Sequence, residues 1–150
     1  MGLESLFSIV NSVALFSWIF LFVFYKKEWV YTMIFSGVFV LMAITYIFYI
    51  SQGLGGDSQG GFDSLANVKL LFESDQAVLA GWIHYLVFDL FVGMWICNDG
   101  KRKEINRWIL LPCLLFTFML GPTGLLIYIL VRSIKTKKFP QSPYDEKPVS

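Results

Sequence analysis

The chain has 150 residues, of which 56% are hydrophobic and 18% aromatic, and its mean hydropathy is +0.62. This composition excludes a water-soluble domain, because a chain of this size would leave too much apolar surface in contact with water. A formal net charge of +1, without a basic and aromatic patch of the kind that single-strand binders use, gives no reason to expect nucleic acid as a partner. We therefore predict a small, single-domain, all-α integral membrane protein.

The first third of the chain predicts two membrane-spanning helices, at about residues 6–25 and 30–51. Each is a nearly continuous run of apolar and aromatic residues, about 20 long, which suits a hydrocarbon core about 30 Å thick. Only a short polar turn separates them, so they form an antiparallel hairpin whose simplest role is to wall the bundle. The first run lacks a basic n-region and a small-residue cleavage site, which predicts a retained span rather than a signal peptide.

A glycine-rich stretch, residues 52–61, is interpreted as a flexible linker. The alternative of a phosphate-binding loop lacks the G-x-x-x-x-G-K-[ST] pattern and a preceding strand. Asp57 and Asp63 are a second alternative, as cation ligands, but they lack the dense oxygen-ligand spacing of a calcium loop.

Residues 62–72 are too short to span a membrane, but their apolar residues recur on one face. This pattern predicts a short amphipathic helix at the membrane interface, or a lid over the bundle. The predicted apolar face consists of Leu65, Val68, Leu71 and Phe72. Ser74 is a plausible N-cap for the next helix, with Asp75 in its first turn.

The third predicted span, residues 76–97, carries His84 and Asp89 inside an apolar run. An aspartate near the middle of a span costs roughly 2.5–3.5 kcal/mol on insertion scales, so something must offset that cost. The two side chains lie about 140° apart around an ideal helix and need not pair directly. We interpret both as proton-handling groups in a lipid-accessible cavity. The alternative for Asp89 is a hydrogen bond to Thr117 on a neighbouring helix, and Gly93 would let such a helix approach.

The fourth predicted span, residues 107–134, contains Pro112 and the interruption Gly121-Pro122-Thr123-Gly124. Proline removes a backbone hydrogen bond and glycine weakens a helix, so we expect a kink near Gly121. A re-entrant hairpin of two halves, each about 14 residues long, is the alternative, and we prefer the kinked span. The result is a four-transmembrane-helix bundle at 1–134 with a short interfacial helix before the third span, followed by a disordered polar tail at 135–150.

Four spans would leave the positive charges evenly divided between the two sides of the membrane, six against six. On the side of the termini lie Lys69, Arg132, Lys135, Lys137, Lys138 and Lys147, and on the other lie Lys26, Lys27, Lys101, Arg102, Lys103 and Arg107. The positive-inside rule therefore gives no orientation. A re-entrant hairpin would move the tail to the second side and break the tie.

Other polar residues near the ends of the last two spans have simpler interpretations. Asp99 and Arg107 flank the third loop and are candidates for an interfacial ion pair, worth at most about 1 kcal/mol if exposed. Arg132 is expected to reach the interface at the end of its span, with an anionic head group as the alternative partner. Interfacial or packing roles, with substrate binding as the alternative, are assigned to Trp82, Trp95 and Trp108.

Two cysteines, Cys97 and Cys113, are interpreted as free, partly buried thiols, although a disulfide between them stays open. No spacing in the sequence resembles a metal site. We expect neither a metal nor a cofactor.

The order W-x-H-x4-D-L-F-V-G-x-W-x3-D, then R-W-x3-P, then G-P-x-G-L-L-x-Y, resembles the abscisic-acid-deficient-four-like family of small membrane proteins from plants, algae and bacteria. The match runs from about residue 65 to residue 132, and the first two spans match only in general hydrophobicity. The resemblance implies a four-span membrane protein. Plant members of the family are needed to make neoxanthin from violaxanthin in plastids.

The resemblance carries six signature positions over to this chain: His84, Asp89, Asp99, Arg107, Gly121 and Pro122. We take His84 and Asp89 as the candidate catalytic pair, because opening an epoxide to an allenic alcohol needs an acid and a base. The candidate substrate-binding residues are Trp82, Gly93, Trp95, Asp99, Arg107, Trp108, Gly121 and Pro122.

The leading hypothesis is therefore a membrane protein that modifies a carotenoid or another isoprenoid lipid by isomerisation or epoxide opening. The alternatives are a non-enzymatic lipid-binding or scaffold protein and a small proton-coupled transporter, which would need to be a homo-oligomer. The absence of a plastid transit peptide predicts a bacterial member, located in the inner membrane.

Overall fold

The computed structural model describes residues 2–55, 60–140 and 142–144, and this part of the chain folds into six helices with no strand. They are α1 (Leu3–Phe24), α2 (Glu28–Gly55), α3 (Leu65–Leu71), α4 (Asp75–Arg102), α5 (Arg107–Leu120) and α6 (Pro122–Thr136). Within α2, Ile34–Val38 forms a π-helical turn, in which the Phe39 N–H donates to the Ile34 carbonyl. The all-α class predicted from the sequence is confirmed.

Three of these helices, α1, α2 and α4, are long and apolar enough to cross a membrane, with 22, 28 and 28 residues. At about 1.5 Å per residue, even the shortest covers about 33 Å. Helix α2 runs four residues beyond its predicted end at residue 51, so residues 52–55 of the predicted linker are helical. Its end packs closely, since a Cβ on Gly53 would lie 2.9 Å from the Cβ of Ala77. Asp57 lies outside the described residues.

The short helix α3 begins where local hydrogen bonding replaces the missing helical partners. The Ser64 side chain accepts a hydrogen bond from the backbone N–H of Asn67 at 3.2 Å, and the Asn67 amide donates to Asp63 at 2.9 Å. This amide holds the pKa of Asp63 below its usual value. Of the predicted apolar face, Leu71 is buried and Leu65 is largely exposed. The helix Leu65–Leu71 is shorter than the predicted segment 62–72.

The described chain divides into two compact units. The first comprises Met1–Phe16 and Met33–Phe88. Its core is built from apolar side chains that recur at helical spacing on α1, α2 and α4, namely Leu6, Val10, Ala14, Met42, Leu79, Ile83 and Leu86.

The second unit comprises Ser17–Thr32 and Asp89–Ser150, and a helical hairpin made of α5 and α6 dominates it. A Cβ on Gly124 would collide with the backbone of Thr117 and Cys113 on α5. In a continuous helix those residues would lie about 10 Å and 16 Å away along the axis. Helix α6 therefore returns along α5.

The preferred prediction of one kinked span over residues 107–134 is wrong, and the re-entrant alternative describes the fold. Gly121 makes the reversal with a φ of +36°, a conformation that residues with a Cβ rarely adopt. Pro122 then opens α6 at a position where its missing N–H costs no hydrogen bond. The four-span bundle is accordingly not confirmed.

Both free ends of the hairpin lie beside the end of α4. Leu110, in the first turns of α5, fills the space that a Cβ on Gly100 would need. Near the end of α6, Arg132 forms an ion pair with Asp99. The chain that follows α6, predicted to be a disordered tail, contacts α4 again at residues 142–144, while residues 141 and 145–150 lie outside the described part.

This arrangement gathers positive charge at one end of the second unit. Lys101 at the end of α4 forms a 2.5 Å ion pair with Glu28, which brings the turn between α1 and α2 to the same end. Of the described Lys and Arg residues, Lys69 alone belongs to the first unit. The others are Lys26, Lys27, Lys101, Arg102, Lys103, Arg107, Arg132, Lys135, Lys137 and Lys138. The even division of positive charge expected from four spans does not hold, because the hairpin returns the chain after α6 to the same end of the second unit as the turn between α1 and α2.

Cysteine labelling tests this topology in a variant without Cys97 and Cys113. We expect a membrane-impermeant maleimide to label Lys27→Cys and Lys137→Cys from the same face of the membrane, because the hairpin returns the chain to the side of the first turn. Phe62→Cys, between α2 and α3, should react from the opposite face and serves as the control. Labelling of Lys137→Cys and Lys27→Cys from opposite faces would contradict the hairpin and restore a fourth span.

Candidate functional site

The two candidate catalytic residues lie on one helix, α4, but in different surroundings. His84 belongs to the first unit, where its exposed ring stacks on Phe88, with centroids 4.4 Å apart, and lies 5.9 Å from the ring of Tyr46. Asp89 belongs to the second unit and is half-buried against Gly121. Each side chain therefore has its own set of neighbours.

Asp89 lies at the elbow of the hairpin. A Cβ built on Gly121 would be 2.5 Å from Oδ1 of Asp89, so only glycine leaves room for the carboxylate there. Gly121 is also the N-cap of α6, whose helix dipole presents partial positive charge to an anion. Thr117, the partner considered from the sequence, donates its hydroxyl proton to the Cys113 carbonyl oxygen at 2.8 Å. The elbow offsets part of the cost of a carboxylate in a membrane helix.

One turn further along α4, Gly93 permits the close approach that the sequence predicted. The approaching group is the indole ring of Trp18 on α1, and a Cβ on Gly93 would collide with its six-membered ring. Trp18 is buried and also packs edge-to-face on Phe118 of α5, at 5.8 Å between centroids. Sequence analysis missed Trp18, because nothing distinguishes it within the apolar run of the first span.

A buried polar network joins the end of α4 to α6. Arg132 donates from Nε to Oδ2 of Asp99 at 2.6 Å and from Nη2 to Oδ1 at 3.3 Å, while the Tyr128 hydroxyl donates to Oδ2 at 2.6 Å. The Asp99 and Arg132 side chains are 5% and 4% exposed, and Tyr128 is fully buried. Because Tyr128 and Arg132 lie four residues apart, one face of α6 presents both to Asp99.

This network corrects two expectations from the sequence. Asp99 pairs with Arg132 and not with Arg107, and Arg132 is buried in an ion pair instead of reaching the interface. Neither the Asp99–Arg132 pair nor the burial of Arg132 could be predicted without knowing that α6 reverses direction. A straight or kinked span would carry Arg132 away from Asp99. Arg107 instead lies over the ring of Phe22, 5.0 Å from its centroid, and 5.8 Å from that of Trp108.

The candidate tryptophans have distinct environments. In the first unit, Trp82 donates from Nε1 to Oδ1 of Asn11 at 3.0 Å and contacts the rings of Phe7 and Tyr85. In the second, Trp108 is 67% exposed at the start of α5, as expected of an interfacial residue.

An apolar groove of about 510 Å³ runs between α4 and α6 in the second unit. Its volume lies within the range of small-molecule sites, about 300–1,000 Å³. The chain after α6 closes one side, since Trp95 donates from Nε1 to the Pro143 carbonyl oxygen at 3.2 Å and Arg132 donates from Nη2 to that of Ser142 at 3.0 Å. The lining comprises Phe91, Val92, Trp95, Leu125, Ile129, Arg132, Ser133, Phe139, Pro140, Pro143 and Tyr144.

The two ends of the groove differ in chemistry. Asp89 does not line it, but precedes Val92 by one helical turn, and Gly121 precedes Leu125 in the same way. The Asp89 carboxylate therefore lies just beyond one end of the apolar groove. Arg132 and Ser133 supply the polar lining toward the other end.

No cluster of three or more His, Cys, Asp and Glu side chains suited to a metal ion occurs in the described part of the chain. Cys97 and Cys113 are both buried free thiols. The buried network of the second unit is built from carboxylate, phenol and guanidinium groups.

Comparison with known proteins identifies relatives of this chain. A family model described as ABA DEFICIENT 4-like matches residues 5–128. Among curated proteins, the protein named ABA DEFICIENT 4, chloroplastic, from Arabidopsis thaliana is 30% identical over 76 residues, which are 50% of this chain and 33% of that protein. The match thus spans about one third of the length of the curated relative. No solved structure matches the chain.

The elbow should not tolerate a side chain. We expect Gly121→Ala to destabilise the protein by about 1–3 kcal/mol, because the positive φ strains any residue with a Cβ and the added methyl collides with Asp89. The midpoint of thermal unfolding in detergent would measure this loss. Gly37→Ala is the matched control, since a Cβ there meets open space. Equal melting of the two variants would remove the structural role of the elbow.

Loss of a charged partner from the buried network should destabilise the protein. Asp99→Asn leaves Arg132 buried without its counter-ion, which typically costs about 3–5 kcal/mol. Tyr128→Phe removes only one hydrogen bond and should cost about 1–3 kcal/mol. The same melting assay ranks the variants, with Asp75→Asn in the exposed first turn of α4 as control. If Asp99→Asn melts like that control, the ion pair does not hold α6.

Proposed function

Since the chain belongs to the ABA DEFICIENT 4-like family, we propose that it modifies a carotenoid or another isoprenoid lipid by isomerisation or epoxide opening. The observation that supports this most is the apolar groove between α4 and α6, with a carboxylate just beyond one end. The curated relative is named for chloroplasts, and the bacterial inner membrane predicted here stays part of the proposal.

A long apolar substrate suits the groove better than a polar one. Its walls are mainly Phe, Trp, Leu, Ile and Pro side chains, and α4 is one of the helices apolar enough to cross a membrane. A polyene or isoprenoid chain dissolved in the bilayer would reach such a site without first passing through water. Because the chain leaves lipid and not water, close packing against these walls and polar contacts, rather than the hydrophobic effect, would supply the binding free energy.

Asp89 is the proposed proton-handling group. Opening an epoxide to an allenic alcohol requires one group that protonates the epoxide oxygen and another that removes a carbon-bound proton. A carboxyl group performs either role, and an ionisable residue inside a membrane helix is a functional candidate by default. His84 is the second candidate, and it faces outward from the first unit beside Tyr46 and Phe88.

The rival function is a lipid-binding or scaffold protein without catalysis. One observation favours it: Asp89 lies against the N-cap of α6, where a carboxylate stabilises the helix whether or not it handles protons. In that case Asp89 would be needed for the hairpin and not for a reaction.

Asp89→Asn separates these functions, because the amide keeps the shape of the side chain but cannot exchange the proton. In a bacterial host that accumulates violaxanthin, we expect the variant to lose at least about 100-fold in product formation. Chromatography of the extracted pigments measures the conversion, and the melting midpoint measures the fold. Asp75→Asn on the same helix is the control.

The two measurements together decide the assignment. Full conversion by Asp89→Asn would end its catalytic role, while parallel losses of melting temperature and conversion would favour the structural role. A His84→Gln variant tests the second candidate in the same assay, and unchanged conversion would remove His84 from the mechanism. Failure of the unsubstituted protein to convert the pigment would point to another isoprenoid substrate or to the rival function.

A further inference from the structure

A second cavity, with more polar lining than the groove, lies at the basic end of the second unit. It has a volume of about 760 Å³ and lies between the turn after α1, the end of α4 and the start of α5. Its charged lining residues are Lys26, Lys101, Arg107 and Glu104. Since Lys101 also contacts Glu28, the cavity collects three cationic groups beside two carboxylates.

Arg107 brings a positive charge to the wall of the cavity. Its guanidinium is held over the Phe22 ring, and Nη2 donates to the Phe22 carbonyl oxygen at a long 3.4 Å. Its Nε is buried and has no hydrogen-bond partner within the part of the chain that the structure describes. Because this Nε is closed off from solvent, Arg107 contributes its positive charge to the cavity that it lines, and not this donor.

The start of α5 adds to the positive potential. The Asn106 side chain accepts the backbone N–H of Trp108 at 2.9 Å, and the helix that follows has 14 residues, whose dipole is positive at this end. Together with Lys26 and Arg107, this potential favours an oxyanion with several acceptor oxygens, and a phosphate group fits that description.

The depth of the cavity indicates where the phosphate comes from. Trp108 lines the cavity and is largely exposed at the start of α5, a position typical of the aromatic belt at the level of the lipid head groups. Arg107 begins the apolar helix α5, and Lys101 lies in the last turn of the apolar helix α4 at the same level. We propose that this cavity binds the phosphate of an anionic phospholipid. The site is separate from the apolar groove between α4 and α6.

Binding of phosphatidylglycerol to the full-length protein tests the proposal. Native mass spectrometry of the detergent-solubilised protein, with defined amounts of added lipid, should show retention of phosphatidylglycerol over phosphatidylcholine. Arg107→Gln should weaken phosphatidylglycerol binding by about tenfold or more, because it removes a positive charge from the wall of the cavity. Lys137→Gln makes the same change of charge outside the cavity and should bind like the unsubstituted protein.

Two further arms keep every outcome informative. Lys26→Gln changes an exposed residue of the cavity, so its weakened binding would support the site even if Arg107→Gln does not fold. Competition by millimolar inorganic phosphate that fully displaces the lipid would overturn the lipid assignment in favour of free phosphate. Equal binding of both lipids, or equal losses in Lys26→Gln and Lys137→Gln, would overturn the site itself.

Discussion

The buried ion pair between Asp99 and Arg132 is the constraint on which the second unit depends. Removing two charges from water costs several kcal/mol each, and the pair offsets this only because Tyr128 adds a further hydrogen bond to the same carboxylate. The pairing fixes which face of α6 meets α4. It therefore fixes the groove, the path of the chain beyond α6 and the side on which the last basic residues lie.

Two carboxylates on α4, ten residues apart, meet the membrane in different ways. Asp99 is neutralised by a guanidinium and holds the fold, whereas Asp89 lies against a helix N-terminus beside an apolar groove. A carboxylate held by both Arg132 and Tyr128 is poorly placed to contact a substrate. The contrast directs the proposed chemistry to Asp89.

The sequence predicted what depends on local pattern and failed where direction mattered. Continuous apolar runs located the helices that could span a membrane, and the Gly121-Pro122 pair located the break. Whether a break becomes a kink or a reversal depends on one dihedral angle and on the close contact of Gly124 with α5, which no periodicity reports. The partner of Asp99 and the position of Trp18 on Gly93 follow from that reversal and from tertiary packing, so they could not be read from spacing.

The π-helical turn in α2 has a consequence for how this family is aligned. Its i→i+5 bond, from Phe39 to Ile34, holds one residue more than an α-helical turn does. The π-helical turn keeps Ile34, Val38 and Met42, which are four residues apart, on one inward face. In an uninterrupted α-helix, each step of four residues would rotate the side chain by about 40° around the axis. A relative with a regular α-helix here would need a one-residue gap, or every position beyond it would be compared with the wrong neighbour.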